Sequence, residues 1–487
     1  MSITPTNGDA LRRMAAATLM ASFTGPVVPD WLRRAADDGL GGVCLFASNL
    51  TGPARGVTDA LHAVRPELIV ATDEEGGDVT RLWAASGSPI PGNAALGAVD
   101  DPALTRQVAA ALGVALAANG VDLDLAPVAD VNVDPANPVI GVRSFGADPT
   151  GVARQVAAFV AGLQASGVAA CAKHFPGHGA TSVDSHLDRP VLDISHELLG
   201  RRELMPFRAA VEAGTAAVMT GHVVVPALDD RPATVSPVVV DLLRSELGFT
   251  GAVVTDALDM AGAGGPAVIP MTVVAALSAG ADLCCLGPDA TADLVAACID
   301  AVVAAVQRGG LEADRLAEAA HRVAGVRRSS AMAAAPAIGP DLVTIGLDAA
   351  RRGVRVDGDP AVAPGAHVIE LAGPDMIAAG PVPWGLGPAL ADLDPTVTHA
   401  RDATAPAPPP RRPLVIAYRD AHRHRELRAT LERLAAARPD AVLVDMGWPH
   451  PNPPPTRGRI VTFGAAPPCA LAAAELLVPA RRTTHHG

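Results

Sequence analysis

Short apolar runs recur through the first two thirds of the chain, and longer alanine- and leucine-rich stretches lie between them. The runs predict strands at residues 19–23, 42–47, 68–73, 122–131, 169–174, 217–222, 252–256 and 281–286. The longer stretches predict helices, among them 104–118, 151–166, 203–213 and 239–247. Apolar positions that follow one another without polar alternation imply burial on both faces, as in a parallel sheet covered by helices. Eight such strand–helix units predict a (β/α)8 barrel of the TIM type over residues 1–330, finished by a helix at 312–327.

An alanine- and proline-rich segment, 331–340, reads as a linker. Alternation then resumes, with strands expected at 367–371, 414–418, 441–444 and 460–463 and helices at 427–436 and 470–478. Residues 341–487 therefore predict a smaller α/β sandwich domain with a parallel sheet. Within it, 404–413 and 449–455 read as proline-rich loops, and 483–487 as a frayed end.

The polar residues fall at the ends of the expected strands. The third strand ends in Asp73-Glu74-Glu75-Gly76-Gly77, with Arg81 just beyond. The fourth leads to Asp130 and then Arg143; the fifth ends in Lys173-His174, the sixth in His222 and the seventh in Thr255-Asp256. In a barrel of this kind the C-terminal strand ends build the active site, so these residues converge on one mouth. The densest cluster is Lys173-His174-Phe175-Pro176-Gly177-His178-Gly179, followed by Asp184-Ser185-His186. Asp184 and His186 flank a single residue, so both can turn to the same side of a loop. A carboxylate beside an imidazole raises its basicity and fixes its tautomer, which makes a proton carrier near neutral pH. Asp256 closes a buried strand, where a carboxylate can be a nucleophile, a metal ligand or the cap of the next helix. A metal is the rival use of His174, His178, His186 and His222. However, no His-x-His pair ends the first strand, and Lys173 with the arginines repels a cation, so no metal or other cofactor is expected.

Composition narrows the classes. Hydrophobic residues make up 49% of the 487, enough for two cores. The net charge is −13 and no lysine- or arginine-rich run stands out, which argues against nucleic acid or an anionic membrane as partner. The apolar runs are broken by glycine, proline or charge, so no membrane-spanning helix is expected. The cysteines, at 44, 171, 284, 285, 298 and 469, form no Cys-x-x-Cys pair and fit a reducing compartment. Arg12-Arg13 before the apolar run 14–23 has the outline of a signal peptide. No small-x-small site ends the run, so it reads as a first helix leading into the first strand. The expected compartment is the cytoplasm, with export as the alternative.

The motifs quoted above, with Ala126-Pro127-Val128-Ala129-Asp130-Val131, Gly141-Val142-Arg143-Ser144-Phe145-Gly146, Arg231-Pro232-Ala233-Thr234 and Thr255-Asp256-Ala257-Leu258, occur in one order along the barrel. In this the chain resembles bacterial β-N-acetylglucosaminidases of glycoside hydrolase family 3. The likeness is fainter beyond residue 340, where Phe463-Gly464-Ala465-Ala466-Pro467 resembles a segment near the end of a second domain that some members carry. The resemblance implies that Asp256 attacks the anomeric carbon and that His186, paired with Asp184, is the acid/base. It also implies that Asp73, Arg81, Arg143, Lys173 and His174 bind the N-acetylglucosamine ring. The implied partner is a small carbohydrate, from cell-wall or chitin fragments, and a monomer is expected. Aromatic residues total only 3%, which suits a shallow site for one terminal sugar. Phosphate in place of water as acceptor is a close variant of the reaction. A non-catalytic sugar-binding protein is the alternative of another class, and the joint presence of Asp184, His186 and Asp256 argues against it. Two departures stand out: Glu74 where the family usually has glutamine, and Asp78 where it often has a basic residue. Both are expected to add negative charge near the mouth.

Overall fold

The computed structural model describes residues 8–52, 54–331, 341–401 and 411–478. The linker expected after residue 331, most of the loop at 404–413 and the end at 483–487 lie outside the described residues. The chain folds into two compact units. The first holds residues up to Glu75, Asp101–Ile140 and Ser144–Pro340; the second holds Gly76–Asp100, Gly141–Arg143 and the chain from Asp341 on.

The first unit is a barrel. Its strands are β1 (Leu19–Ala21), β2 (Gly42–Leu45), β3 (Ile69–Thr72), β4 (Leu123–Asp124), β5 (Ala169–Phe175) and β6 (Ala217–Thr220). A small antiparallel hairpin, β7 (Val224–Val225) and β8 (Asp229–Pro232), precedes β9 (Ala252–Thr255) and β10 (Cys284–Cys285). The eight barrel strands run parallel in the order β10-β1-β2-β3-β4-β5-β6-β9, and a bridge between Val254 and Leu283 closes the ring. Strand alternation sorts the residues. The interior takes Ile69 and Ala71, Leu123 and Leu125, Ala169 and Cys171, Ala252 and Val254, with Val323 and Val326 of the helix Ala313–Ala331 packed against them. Burial pushes the thiols of Cys171 and Cys284 up, so they behave as small apolar groups.

The fourth strand differs from expectation. Residues 122–131 read as one long strand, but β4 pairs over only two residues, because Pro127 has no N–H to give the ladder. The chain still follows β5 beyond that point. Cys171 N donates to Ala126 O at 2.9 Å and Lys173 N to Pro127 O at 3.0 Å, which brings Asp130 beside His174. A π-helical turn, Leu199–Glu203, leads into the helix expected at 203–213, observed as Leu204–Glu212, and another, Leu242–Glu246, follows Pro237–Asp241 within the helix expected at 239–247. By length and composition, Ala261–Ala279 is the one described stretch apolar enough to cross a membrane. It is not one continuous helix: Gly264 and Gly265, both at positive φ, separate short turns from the helix Ile269–Ala279.

In the second unit five strands run parallel: β12 (His367–Leu371), β13 (Thr398–Ala400), β14 (Leu414–Tyr418), β15 (Val442–Asp445) and β16 (Gly458–Val461). The sheet is mixed rather than purely parallel, because β11 (Arg355–Gly358) adds antiparallel to β16. All four β11 residues are exposed, so no apolar run marked it in the sequence. Val415 and Ala417 pack toward the helix Pro467–Leu477, while Ile416 and Tyr418 pack toward Arg425–Ala437, giving a three-layer sandwich.

The start of β10 is held by one buried carboxylate. Asp282 accepts from Val253 N at 2.9 Å and Arg244 at 2.6 Å, and it pairs with Arg315 and Arg322. Removing one partner of such a network strands the others, at a cost of about 3–5 kcal/mol. Asp282→Ala is therefore expected to lower the unfolding free energy by about that amount in denaturant titration. A change within error would show that the arginines re-pair without it.

Candidate active site

The inward register of three barrel strands continues one step past the apolar core. Ile69 and Ala71 lead to Asp73, Ala169 and Cys171 to Lys173, and Ala252 and Val254 to Asp256. Period-two alternation therefore delivers two carboxyl groups and an ammonium to the C-terminal end of the barrel lumen.

Each charge there has a partner. The buried Lys173 Nζ lies 2.6 Å from Asp73 Oδ1 and 2.7 Å from Glu75 Oε1. Asp73 keeps more contact with solvent than Glu75, 18% against 1%, so it is the member of the pair open to a ligand. Below them Asp124 is fully buried and accepts from Glu74 N at 2.9 Å. Burial pushes the Asp124 carboxyl well up, while the Glu74 amide and Lys173 oppose it.

Asp130 organises the next segment. Its carboxylate accepts from His174 Nδ1 at 2.7 Å, from His174 N at 3.3 Å and from His178 N at 2.7 Å. His178 passes the connection on: Nδ1 lies 2.6 Å from the Thr181 hydroxyl and Nε2 lies 3.2 Å from that of Ser185. Ser185 O in turn accepts from Gly262 N at 3.0 Å. The loop carrying Asp184 and His186 is thus tied to the loop that follows Asp256.

In the dyad, Asp184 Oδ1 accepts from His186 Nδ1 at 2.6 Å and from His186 N at 2.9 Å. Burial pulls the Asp184 carboxyl up, but the hydrogen bonds from His186 outweigh it and the net shift is downward. With Nδ1 engaged, Nε2 of the half-exposed His186 ring is the atom left to exchange a proton.

Asp256 is oriented by its neighbours. Its Oδ1 accepts from Ala257 N at 2.8 Å. The Ala257 carbonyl accepts from His222 Nε2 at 2.9 Å, and His222 Nδ1 lies 2.8 Å from the Thr234 hydroxyl. Burial pushes the His222 imidazole down, and the ring acts as a brace. Burial alone would also raise Asp256. The imidazoles of His174, His222 and His186, with the Ala257 amide, overcome this and bring its carboxyl down to about 2. Asp256 is an anion at any working pH. Both ring nitrogens of His178 and of His222 are engaged by protein groups, which leaves neither ring a lone pair for a metal.

Of the residues expected at the site, the first unit brings together Asp73, Lys173, His174, Asp184, His186 and Asp256. Arg81 and Arg143 group with the second unit. There Arg81 donates to Ala379 O at 3.0 Å and Ala378 O at 2.6 Å, and Arg143 O accepts from Asn93. Asp78 also belongs to the second unit, buried, with Oδ1 accepting from Ala465 N at 3.0 Å and Oδ2 at 3.4 Å from Arg419. Glu74 is fully buried. Neither departure from the family pattern is a solvated surface charge. Sequence reasoning missed Glu75, Asp124 and the anchoring role of Asp130; only the acidic run after β3 hinted at the first.

Residues 21–326 match the model of the glycosyl hydrolase family 3 N terminal domain. The chain belongs to glycosyl hydrolase family 3. This family 3 enzyme is 39% identical over 348 residues to a beta-hexosaminidase of Thiobacillus denitrificans, covering 65% of this chain and 96% of that one. A family 3 beta-N-acetylglucosaminidase structure from Paenibacillus sp. str. FPU-7 superposes with a TM-score of 0.85 at 29% identity, over 98% of this chain and 97% of that one. The beta-N-acetylhexosaminidase structure from Beutenbergia cavernae is 33% identical with a TM-score of 0.58, covering 65% of this chain and 98% of its own. The family places the chain among the glycoside hydrolases, and the barrel carries the match.

The tie between the two loops can be tested at Gly262. A Cβ there would lie 2.8 Å from His222 Cβ and 3.1 Å from Ser185 O, so a side chain forces the loops apart. Gly262→Val is expected to lower kcat/KM on an aryl glycoside at least about tenfold, since small misplacements of reacting groups are costly. Wild-type kinetics in that variant would separate the loop contact from catalysis.

Proposed function

We propose that this enzyme is an exo-acting, retaining β-N-acetylglucosaminidase. Its curated relatives are beta-hexosaminidases, and β-N-acetylhexosaminidase activity is the coarser form of the same reading. The single observation that carries the mechanism is an ionised Asp256 beside a loop whose half-exposed imidazole has Nδ1 taken by Asp184. In the first step an Asp256 oxygen attacks the anomeric carbon as the bond to the leaving oxygen breaks, and His186 Nε2 gives that oxygen its proton. In the second step His186 takes a proton from water, and the water oxygen displaces Asp256 from the sugar. Asp73, Lys173 and His174 are proposed to hold the ring hydroxyls. The proposed substrates are terminal N-acetylglucosaminides of cell-wall fragments, consistent with a role in peptidoglycan recycling in the cytoplasm, or of chitin oligosaccharides.

Phosphorolysis is the second reading, and the acid/base being a histidine favours it. A neutral imidazole does not repel a phosphate dianion as a carboxylate does, so phosphate can take the place of water in the second step.

The wild-type protein is expected to release N-acetylglucosamine from p-nitrophenyl N-acetyl-β-glucosaminide with or without phosphate. Asp256→Ala is expected to lose at least about a thousandfold in rate while staying folded, because the covalent route is gone. A sugar 1-phosphate that rises with phosphate would move the assignment to a phosphorylase. Undiminished turnover by Asp256→Ala would overturn it.

A further inference from the structure

A buried carboxyl group outside the mechanism lies directly beneath the catalytic loop. Glu203 is fully buried, at the end of the π-helical turn Leu199–Glu203. Its Oε1 accepts from Arg202 Nε at 2.6 Å. Its Oε2 is buried with no hydrogen-bond partner among the described residues. The position follows from packing. Phe207, one helical turn on, meets Phe175 at the end of β5 edge to face, with ring centres 5.2 Å apart. Residues four apart share a helix face, so Glu203 reaches two residues past Phe175 to Gly177. The fit there is tight: a Cβ on Gly177 would lie 2.7 Å from Glu203 Oε2 and 2.9 Å from its Cβ. Gly177 has φ +132 and sits between His174 and His178, the two residues that Asp130 holds.

We infer that Glu203 is a positioning residue for the glycosidic reaction, its carboxyl group supporting the His174–His178 turn from below so that Asp130 can bind both ends of it. The charged groups that face Glu203 are Arg202 on its own turn and Asp130 across the loop. Burial is the largest influence and raises the carboxyl, Asp130 adds to it, and Arg202 opposes both; the result is about 7. While Glu203 holds its proton, the Asp130 charge serves His174 and His178 alone. When Glu203 ionises, a second buried anion with an unmatched oxygen stands under Gly177 and repels Asp130. The turn then loses its support, and His174 with it. The folded value lies above the ordinary 4.5, so this contact adds stability in full below about 4.5 and loses it as the pH rises through about 7.

The kinetic test rests on the proposed activity. With 2,4-dinitrophenyl N-acetyl-β-glucosaminide the leaving group needs no proton, so His186 drops out of kcat/KM and a remaining alkaline fall belongs to another group. Wild-type kcat/KM is expected to fall about tenfold between about pH 7 and 8.5, and that of Glu203→Gln, an amide that stands in for the neutral acid, to stay level within about twofold. A purely structural role would lower the rate without moving the profile. The same alkaline fall in both proteins overturns the inference. A second arm needs no substrate: the Tm of the wild-type full chain, relative to Glu203→Gln, is expected to fall as the pH rises from about 4.5 to about 7 and to level off above that. A Tm difference that does not change with pH also overturns the inference. If the wild-type protein turns over no N-acetylhexosaminide, the proposed function fails, and the Tm arm still decides the role of Glu203.

Discussion

The buried Asp130 carboxylate is the constraint on which the site depends. It takes the His174 imidazole and the backbone N–H groups of both His174 and His178, so it fixes a ring and the two ends of a turn at once. A backbone N–H in a dry interior must find an acceptor, and a charged acceptor binds it about twice as strongly as a neutral one. The turn after β5 is thereby set by one side chain from the segment after β4. From it the connection runs through His178 and Ser185 to Gly262, so the dyad and Asp256 inherit their spacing from this anchor.

The charges around the mouth divide by environment. Asp256 lies among imidazoles and stays ionised although burial opposes it. Burial pushes the Asp124 carboxyl well up, with the Glu74 and Asp73 charges adding to it and Lys173 opposing. Lys173 stands between Asp73 and Glu75, where a lone buried ammonium would lose its proton. Carboxyl groups of the same barrel are thus pushed in opposite directions by their surroundings. The proposed nucleophile is the carboxyl held low, as an attacking carboxylate must be.

Much of this was legible in the sequence. The apolar runs mark all eight barrel strands, and the residue types at their ends mark Asp73, Lys173, His174, Asp184, His186 and Asp256. The inward parity of Asp73, Lys173 and Asp256 follows from counting by twos along each run. Pairings across the fold were not legible. Nothing local shows that Glu75, rather than Glu74, meets Lys173, because the alternation ends with the strand. Glu203 opens the helix expected at 203–213, where a charged residue is ordinarily solvated. A π-helical turn with Phe207 packed on Phe175 places it inside instead. Asp78 read as a charge for the mouth. Its partners, Arg419 and Ala465 N, lie more than 300 residues further along the chain, and no pattern near Asp78 names them.

The proposed chemistry rests on Asp256 as the nucleophile. The direct measurement is to remove the acid/base by His186→Ala, so that breakdown of the intermediate slows, and to load the protein with 2,4-dinitrophenyl N-acetyl-β-glucosaminide. After quenching and digestion, mass spectrometry locates any bound sugar. One N-acetylhexosamine residue on the peptide carrying Asp256, and none in the Asp256→Asn counterpart, is the result expected. Release of dinitrophenol with no sugar on that peptide, or with sugar on another residue, would contradict the assignment.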